Sequence, residues 1–166
     1  RGFSTIRTTF NPYRPDVVVI GAGPAGALTA LGEAQKGLSV TLVDARSAEE
    51  VLAPKGPCSY PIALNPKGLR AIEERDPTIL EDLALVALER EWQVLHPPQG
   101  PPVPFRRVHP ALAVTRGDMA RVVHDRLACF ENVQRRFDWP VDDILATHLL
   151  EHSRLRVTSP AGPDLS

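Results

Sequence analysis

The sequence is poor in the features that most often assign a chain to a class. It holds two cysteines, Cys58 and Cys129, far apart and with no C-x-x-C pair, which excludes a disulfide scaffold or a cysteine-built zinc site and is compatible with a reducing compartment. No run of about 18 apolar residues occurs, so no helix spans a membrane. The formal net charge is -1 with no basic block, which leaves nucleic acid binding without electrostatic support. There is no H-E-x-x-H among the five histidines, His96, His109, His124, His148 and His152. His148 and His152 are four apart, a useful spacing only on a helix, so they read as a solvated pair and no metal is expected. Ser59 and Cys58 have no nucleophile elbow and no identifiable base, which removes hydrolase chemistry. No repeat of 20 to 50 residues is present.

What remains is 43% hydrophobic, 5% aromatic and rich in proline, with 17 in 166 residues. That length suits one domain burying roughly 70% of its unfolded surface. Trp92 and Trp139 read as packing residues rather than stacking platforms.

One stretch organises the chain: DVVVIGAGPAGALTALGEAQKGLSVTLVD, from Asp16 to Asp44. The β-branched run Val17 to Ile20 suits a strand buried on both faces, as a central parallel strand is. Gly21, Ala22, Gly23, Pro24, Ala25 and Gly26 then spell G-x-G-x-x-G. The first glycine allows a tight turn, the second lets backbone approach a pyrophosphate, and the third lets helix pack on strand. Helix formers follow to Lys36, with Pro24 in the first turn, so a helix N-terminus points at the loop as an anion site. Gly37 ends the helix, and Leu38 to Val43 forms a second strand. Asp44 closes that strand where a dinucleotide fold needs an acceptor for ribose hydroxyls, and its charge disfavours a 2'-phosphate. Glycines alone prescribe no more than a turn; the agreement of strand, helix and acid makes this a dinucleotide site. Glu33 dissents by sharing a helix face with Gly26 and Ala30. Either the helix turns toward Ala27, Leu31 and Ala34, or Glu33 sits at the margin of the packed face.

The other segments read as follows. Residues 1–15 form an N-terminal extension with three arginines and no acid, the composition of a mitochondrial or plastid transit-peptide remnant or of a plain extension. Ala45 to Pro57 reads as a connection, with Arg46 near enough to reach a nucleotide. Cys58 to Leu64 is extended, Asn65 and Pro66 start a helix running to Arg75 with Leu69 and Ile72 on its apolar side. Ile79 to Leu88 begins as helix. Glu91 to His96 and Val103 to Val108 make a hairpin across PPQGPP, confined to an edge by its prolines. Ala111 to Thr115 is a further extended piece. Asp118 caps a helix from Met119 to Phe130. Asp142 and Asp143 read as a solvated turn, Val133 to Phe137 and Leu155 to Thr158 as short strands, and residues 159–166 as a loose tail.

The ordered set of pieces over Val17 to Thr158 resembles the N-terminal part of the class A FAD-dependent monooxygenases, the aromatic hydroxylases, and within them the kynurenine-hydroxylating branch. The markers are GAGPAG, the Asp44-Ala45-Arg46 corner, SYPIALNPKG, EWQVLH with PVPF, VTRGDMARVVHDRL and NVQRRF. The resemblance implies an α/β, Rossmann-like βαβ unit on a parallel sheet, here residues 16–158, with part of a substrate-side hairpin. It implies FAD on Gly21, Ala22, Gly23, Pro24, Ala25, Gly26, Asp44, Ala45, Arg46 and Arg116, with NAD(P)H and oxygen used to hydroxylate a small aromatic substrate; it names no catalytic side chain. Two departures matter: Asp44 stands where flavoproteins usually carry glutamate, and Phe105 where the kynurenine branch carries a substrate-binding tyrosine. The family's later Asp-Gly and Gly-Asp signatures are not found before Ser166, so the expectation is a truncated, inactive piece with an open sheet edge. The alternatives are the NAD-binding domain of a dehydrogenase and a non-catalytic dinucleotide-binding module. An organelle or the cytoplasm is the expected location, and oligomeric state is left open.

Overall fold

The computed structural model describes residues 14–53, 60–149 and 152–165. The transit-peptide-like residues 1–13, together with Cys58 and Ser59, lie outside them. The chain falls into two compact units, one made of the residues up to Ala48 and those from Leu127 onward, the other of Glu49–Arg126.

The first unit is built on a parallel sheet. Strand β1 (Val17–Ile20) leads through the glycine turn into helix α1 (Pro24–Gln35), and the chain returns as β2 (Val40–Val43) alongside β1. The third strand, β6 (Val133–Arg136), lies on the other side of β2, giving the order β1-β2-β6. All four residues of β2 are buried, whereas β1 is half-buried and Ile20 is exposed. The expectation of a doubly buried first strand is therefore corrected. Among the described residues β1 is an edge, and β2 is central because it has a neighbour on both sides. The sequence VTLV, with Thr41 in it, reads as the less apolar of the two, so hydrophobicity alone ranked them wrongly. The Thr41 hydroxyl is buried with no hydrogen-bond partner among the described residues.

Helix α1 approaches the sheet through small residues. Ala27, Ala30, Leu31, Gly32 and Ala34 are buried, and Glu33 sits half-exposed in an ion pair with Lys36 at 2.7 Å. The two alternatives for Glu33 meet here: the buried face holds Ala27, Leu31 and Ala34 together with Ala30, and Glu33 lies at its margin. It ends at Gly37, whose φ of +86° is a conformation glycine adopts without a Cβ penalty. Two clasps fix the sheet's far end. Ser39 donates from both N–H and Oγ to Asp16 Oδ2, at 2.8 and 2.7 Å. The Asn132 amide donates to the Ala34 and Leu38 carbonyls at 3.0 and 2.7 Å.

After β6 the chain forms an antiparallel hairpin, β7 (Asp143–Leu149) with β8 (His152–Thr158). Asp143 opens a strand rather than a solvated turn, and His148 and His152 lie on hairpin strands, so no helical i, i+4 pair exists. The tail is turn-like as far as Asp164 but not loose. Leu165 bridges Val157 through two backbone bonds and is buried with Val43, Trp139 and Val157. An apolar side chain one residue from the end anchors what composition alone read as free.

The second unit starts from a short helix, α2 (Ala48–Leu52), where a connection was expected. Its signal was present: Ser47 with Glu50 three residues on is a capping-box pattern. Strand β3 (Pro61–Leu64) precedes helix α3 (Pro66–Arg75), whose N-cap is Asn65, accepting from the Gly68 N–H at 2.9 Å. Helix α4 (Pro77–Ala84) follows with Asp76 as N-cap, and Asp76 also pairs with Arg126. Strands β4 (Leu88–Leu95) and β5 (Val103–Thr115) form the hairpin, in the sheet order β3-β5-β4. The prolines do not confine both arms to an edge, because β5 is the middle strand. Pro104 lies beyond the stretch that β3 pairs, and Pro110 falls in the β5 segment opposite the register shift between Arg90 and Trp92, where no regular ladder bond is lost. Trp92 is 62% exposed, so of the two tryptophans only Trp139 packs. Helix α5 (Arg116–Leu127) begins three residues earlier than expected. Thr115 Oγ1 accepts from the Asp118 N–H at 3.0 Å and donates to the Asp118 carboxylate at 2.7 Å, so Thr115 is the cap and Asp118 the third helical residue.

Candidate dinucleotide site

The site in the first unit is assembled at the carboxyl ends of β1 and β2, where parallel sheets with flanking helices bind ligands. Three glycines do three different things there. Gly21 has φ +100° and donates its N–H to the Val43 carbonyl at 2.8 Å, so it turns the chain while extending the ladder by one bond. Gly26 faces that turn: a Cβ built on it would stand 1.8 Å from the Gly21 carbonyl oxygen. Gly23 is the N-cap of α1 with φ -69° and ψ -179°, a backbone that any residue adopts. The fold therefore needs glycine at 21 and 26, and its own backbone makes no such demand at 23.

The α1 N-terminus is open. No side chain caps it, no acid lies in its first turn, and Pro24 supplies no N–H. The helical ladder begins with Ala27 N–H to Gly23 O at 2.9 Å, so the amides of Ala25 and Gly26 precede it, directed out of the helix end. A group with spread negative charge fits this cradle, since it meets backbone donors and the positive end of the helix dipole.

Asp44 is buried at the end of β2, and its carboxylate is fully engaged. Oδ2 accepts from the Ala22 N–H at 2.8 Å and from Arg46 Nη2 at 2.8 Å; Oδ1 accepts from Arg46 N–H at 3.0 Å and Nε at 2.9 Å. Burial pushes the carboxyl up, but the bonds from the Arg46 side chain and then from the Arg46 and Ala22 amides outweigh it and hold the group at about 2, against 3.8 ordinarily. The corner is pinned from behind by three backbone bonds: Asp44 N–H to Arg136 O at 2.9 Å, Trp139 N–H to Asp44 O at 2.9 Å, and Asp138 N–H to Arg46 O at 3.0 Å. Asp138 takes φ +53° to make its bond, a left-handed conformation that aspartate tolerates better than most residues.

A folded-state value below the unfolded one means that Asp44 stabilises the fold above about pH 4. The contribution, about 2 kcal/mol, fades as pH falls from there toward 2. In urea unfolding from pH 7 downward, the gap between the protein and Asp44→Asn should close across that window. A gap that stays constant down to pH 2 contradicts the assignment.

The sequence-derived residues fall in both units. Gly21, Ala22, Gly23, Pro24, Ala25, Gly26, Asp44, Ala45 and Arg46 come together in the first unit, with Ala45 exposed beside the carboxylate. Arg116 belongs to the second unit, as the first residue of α5, its N–H donating to the Tyr60 carbonyl at 2.9 Å. The Arg46 fork and the Asp138 corner were missed. Aspartate followed two residues later by arginine is a short-range pairing signal; nothing local marks the corner. In the second unit, a hollow of about 380 Å³ opens against β4 and β5, lined by Arg90, Trp92, Gln93 and Arg107 among others. Phe105, opposite Gln93 on β5, is partly exposed. Among the described residues no three His, Cys, Asp or Glu side chains gather, and no helix is long and apolar enough to cross a membrane.

Comparison with known proteins bears on the same region. A family model described as pyridine nucleotide-disulphide oxidoreductase matches residues 15–132. Kynurenine 3-monooxygenase of Cryptococcus neoformans var. neoformans serotype D (strain JEC21) is 33% identical over 86 residues, covering 51% of this chain and 17% of that protein. Among solved structures, p-nitrophenol 4-monooxygenase PnpA of Pseudomonas putida DLL-E4 superposes with a TM-score of 0.69 at 21% identity, over 89% of this chain and 38% of that one. PqsL of Pseudomonas aeruginosa in complex with 2-aminobenzoylacetate gives 0.71 at 18% identity, over 92% and 40%. At these identities the structural likeness is one of fold. The chain spans about a sixth of the length of the curated relative and two fifths of the solved ones.

Proposed function

The chain belongs to the pyridine nucleotide-disulphide oxidoreductase family, and from that footing we propose that it is the N-terminal FAD-binding part of a flavin-dependent monooxygenase. The observation that carries the reading is the open α1 N-terminus behind a glycine turn, with a buried acid at the end of the next strand. In this reading Gly21 to Gly26 hold the FAD diphosphate on backbone amides, Asp44 meets the adenosine ribose, and Ala45 and Arg46 line the same corner. Arg116 is assigned to the cofactor on the family resemblance. When bound, FAD supplies the redox and oxygen chemistry, with NAD(P)H as reductant. The chain's own residues orient it and balance its charge.

A small aromatic substrate is proposed on the strength of similar proteins that are monooxygenases of aromatic compounds by name. Phe105 in place of a tyrosine speaks against kynurenine itself. The dehydrogenase alternative has less support, since several of the similar structures are monooxygenases by name. An organellar location rests on the arginine-rich N-terminal segment alone.

The test is to purify the full-length product, identify any released chromophore, and follow NADH and NADPH oxidation with and without aromatic substrates. Bound FAD and substrate-dependent oxidation are expected. The 166 residues expressed alone should hold FAD weakly and show no turnover. A colourless full-length protein that binds NAD would overturn the proposal in favour of the dehydrogenase or binding-module alternatives.

A further inference from the structure

The Asp44 carboxylate accepts four hydrogen bonds on two oxygens, which uses its full acceptor capacity. Two of these come from backbone amides, Ala22 and Arg46, whose positions are set by the glycine turn and by the bond from Asp138 to the Arg46 carbonyl. The other two come from Nε and Nη2 of one guanidinium, a fork of parallel donors directed one to each oxygen. The Arg46 side chain is 31% exposed, while that of Asp44 is 5% exposed. One pair of bonds is therefore carried by backbone and the other by a partly exposed side chain.

A ribose reaching this corner brings the same pattern. Its 2'- and 3'-hydroxyls are two donors on adjacent carbons, and they can address the two oxygens of one carboxylate as a fork. They cannot do so while the guanidinium fork is in place. We propose that Arg46 is an internal stand-in for the ribose diol: it holds the Asp44 carboxylate oriented on the Ala22 amide, and a nucleotide binds by exchanging its diol for the Arg46 fork. The inference rests on the cofactor reading above and adds a specificity role for Arg46 acting through Asp44. It also alters the sequence-based expectation that Asp44 acts as a bare negative charge, because a paired carboxylate excludes a 2'-phosphate less than a lone one does.

The consequence is that exchange is nearly balanced in the wild type. A bond to a charged group is lost for each one gained, so the diol earns little net affinity. Removing the fork should expose the diol's full value. The experiment is calorimetric titration of the cofactor-free protein with ADP and with 2'-deoxy-ADP, for wild type, Arg46→Met and Arg46→Lys. Methionine keeps the apolar stem without donors, and lysine keeps the charge with no fork. In wild type the two ligands should differ by only a few fold. In Arg46→Met the preference for ADP should rise by about tenfold or more, with ADP itself bound more tightly; Arg46→Lys should fall between. If Arg46→Met weakens both ligands and leaves their ratio unchanged, Arg46 contacts the phosphates and the exchange proposal is wrong. If Arg46→Met does not fold, an Arg46→Lys ratio equal to wild type is sufficient to reject it. Failure of all three proteins to bind either ligand would overturn the cofactor reading and this inference together, whereas binding with a constant ratio overturns only the inference.

Discussion

Gly26→Ala should be among the most damaging single-methyl additions available to this protein. The new Cβ would lie 1.8 Å from the Gly21 carbonyl oxygen, 3.0 Å from its carbon and 3.5 Å from Val19 Cγ1. The nearest atom is backbone, and that backbone has no freedom to retreat. Gly21 is held at φ +100° with its N–H on Val43. Helix α1 would have to lift from β1, loosening the contacts of Ala27, Ala30 and Leu31. Overpacking of this kind costs about 3 kcal/mol, and more where the clash is with main chain. For a chain of this size that lowers the thermal midpoint by roughly 10 °C. Thermal unfolding followed by far-ultraviolet circular dichroism measures it, and a midpoint within about 2 °C of wild type would show that the helix can move away cheaply.

Gly23→Val should do the reverse, sparing the fold and removing the ligand. Valine adopts φ -69° and ψ -179° without strain, and no backbone demand at residue 23 opposes it. Loss of glycine at a helix N-cap costs about 1 kcal/mol. A bulky β-branched group would stand at the open end of α1, between the Ala25 and Gly26 amides and a diphosphate, and FAD affinity should fall by about a hundredfold or more. The full-length variant should purify colourless with a near-native melting curve. If it carries FAD in stoichiometric amount, the glycine turn is not the cofactor site. The two substitutions, three residues apart, separate what the motif does for folding from what it does for binding.

The βαβ unit was legible because each of its parts has a local cause. The turn needs Gly21, the helix stop needs Gly37, and strand, helix and strand each show their own periodicity. The α3 start was equally legible, since Asn65-Pro66 states a cap and a first turn within two residues. What escaped depends on partners distant in sequence. Nothing in VVVI distinguishes an edge strand from a central one; β6 makes β2 central, and β6 lies beyond the whole second unit. The two bonds from Asn132 to the end of α1, and the Asp138 bond behind Arg46, join segments that no window spans. In the candidate site the sequence named the residues but not their state. Asp44 was read as a free acceptor, and its oxygens are occupied by an arginine two positions away.

The order in which the strands arise has a further consequence for how this protein comes into being. Val40 of β2 pairs on one side with Val17 and on the other with Val133. A ribosome therefore releases the first partner before β2 itself and the second only after all of Glu49–Arg126 has been made. At about 5–20 residues per second, the far edge of β2 waits roughly 5–20 s for β6. Through that interval the nascent chain presents an unpaired, apolar strand edge, while the β4–β5 hairpin, being local, can already close. The hazard during synthesis is thus concentrated at β2, the strand whose end carries Asp44, and a pause in translation within the intervening unit would lengthen its exposure.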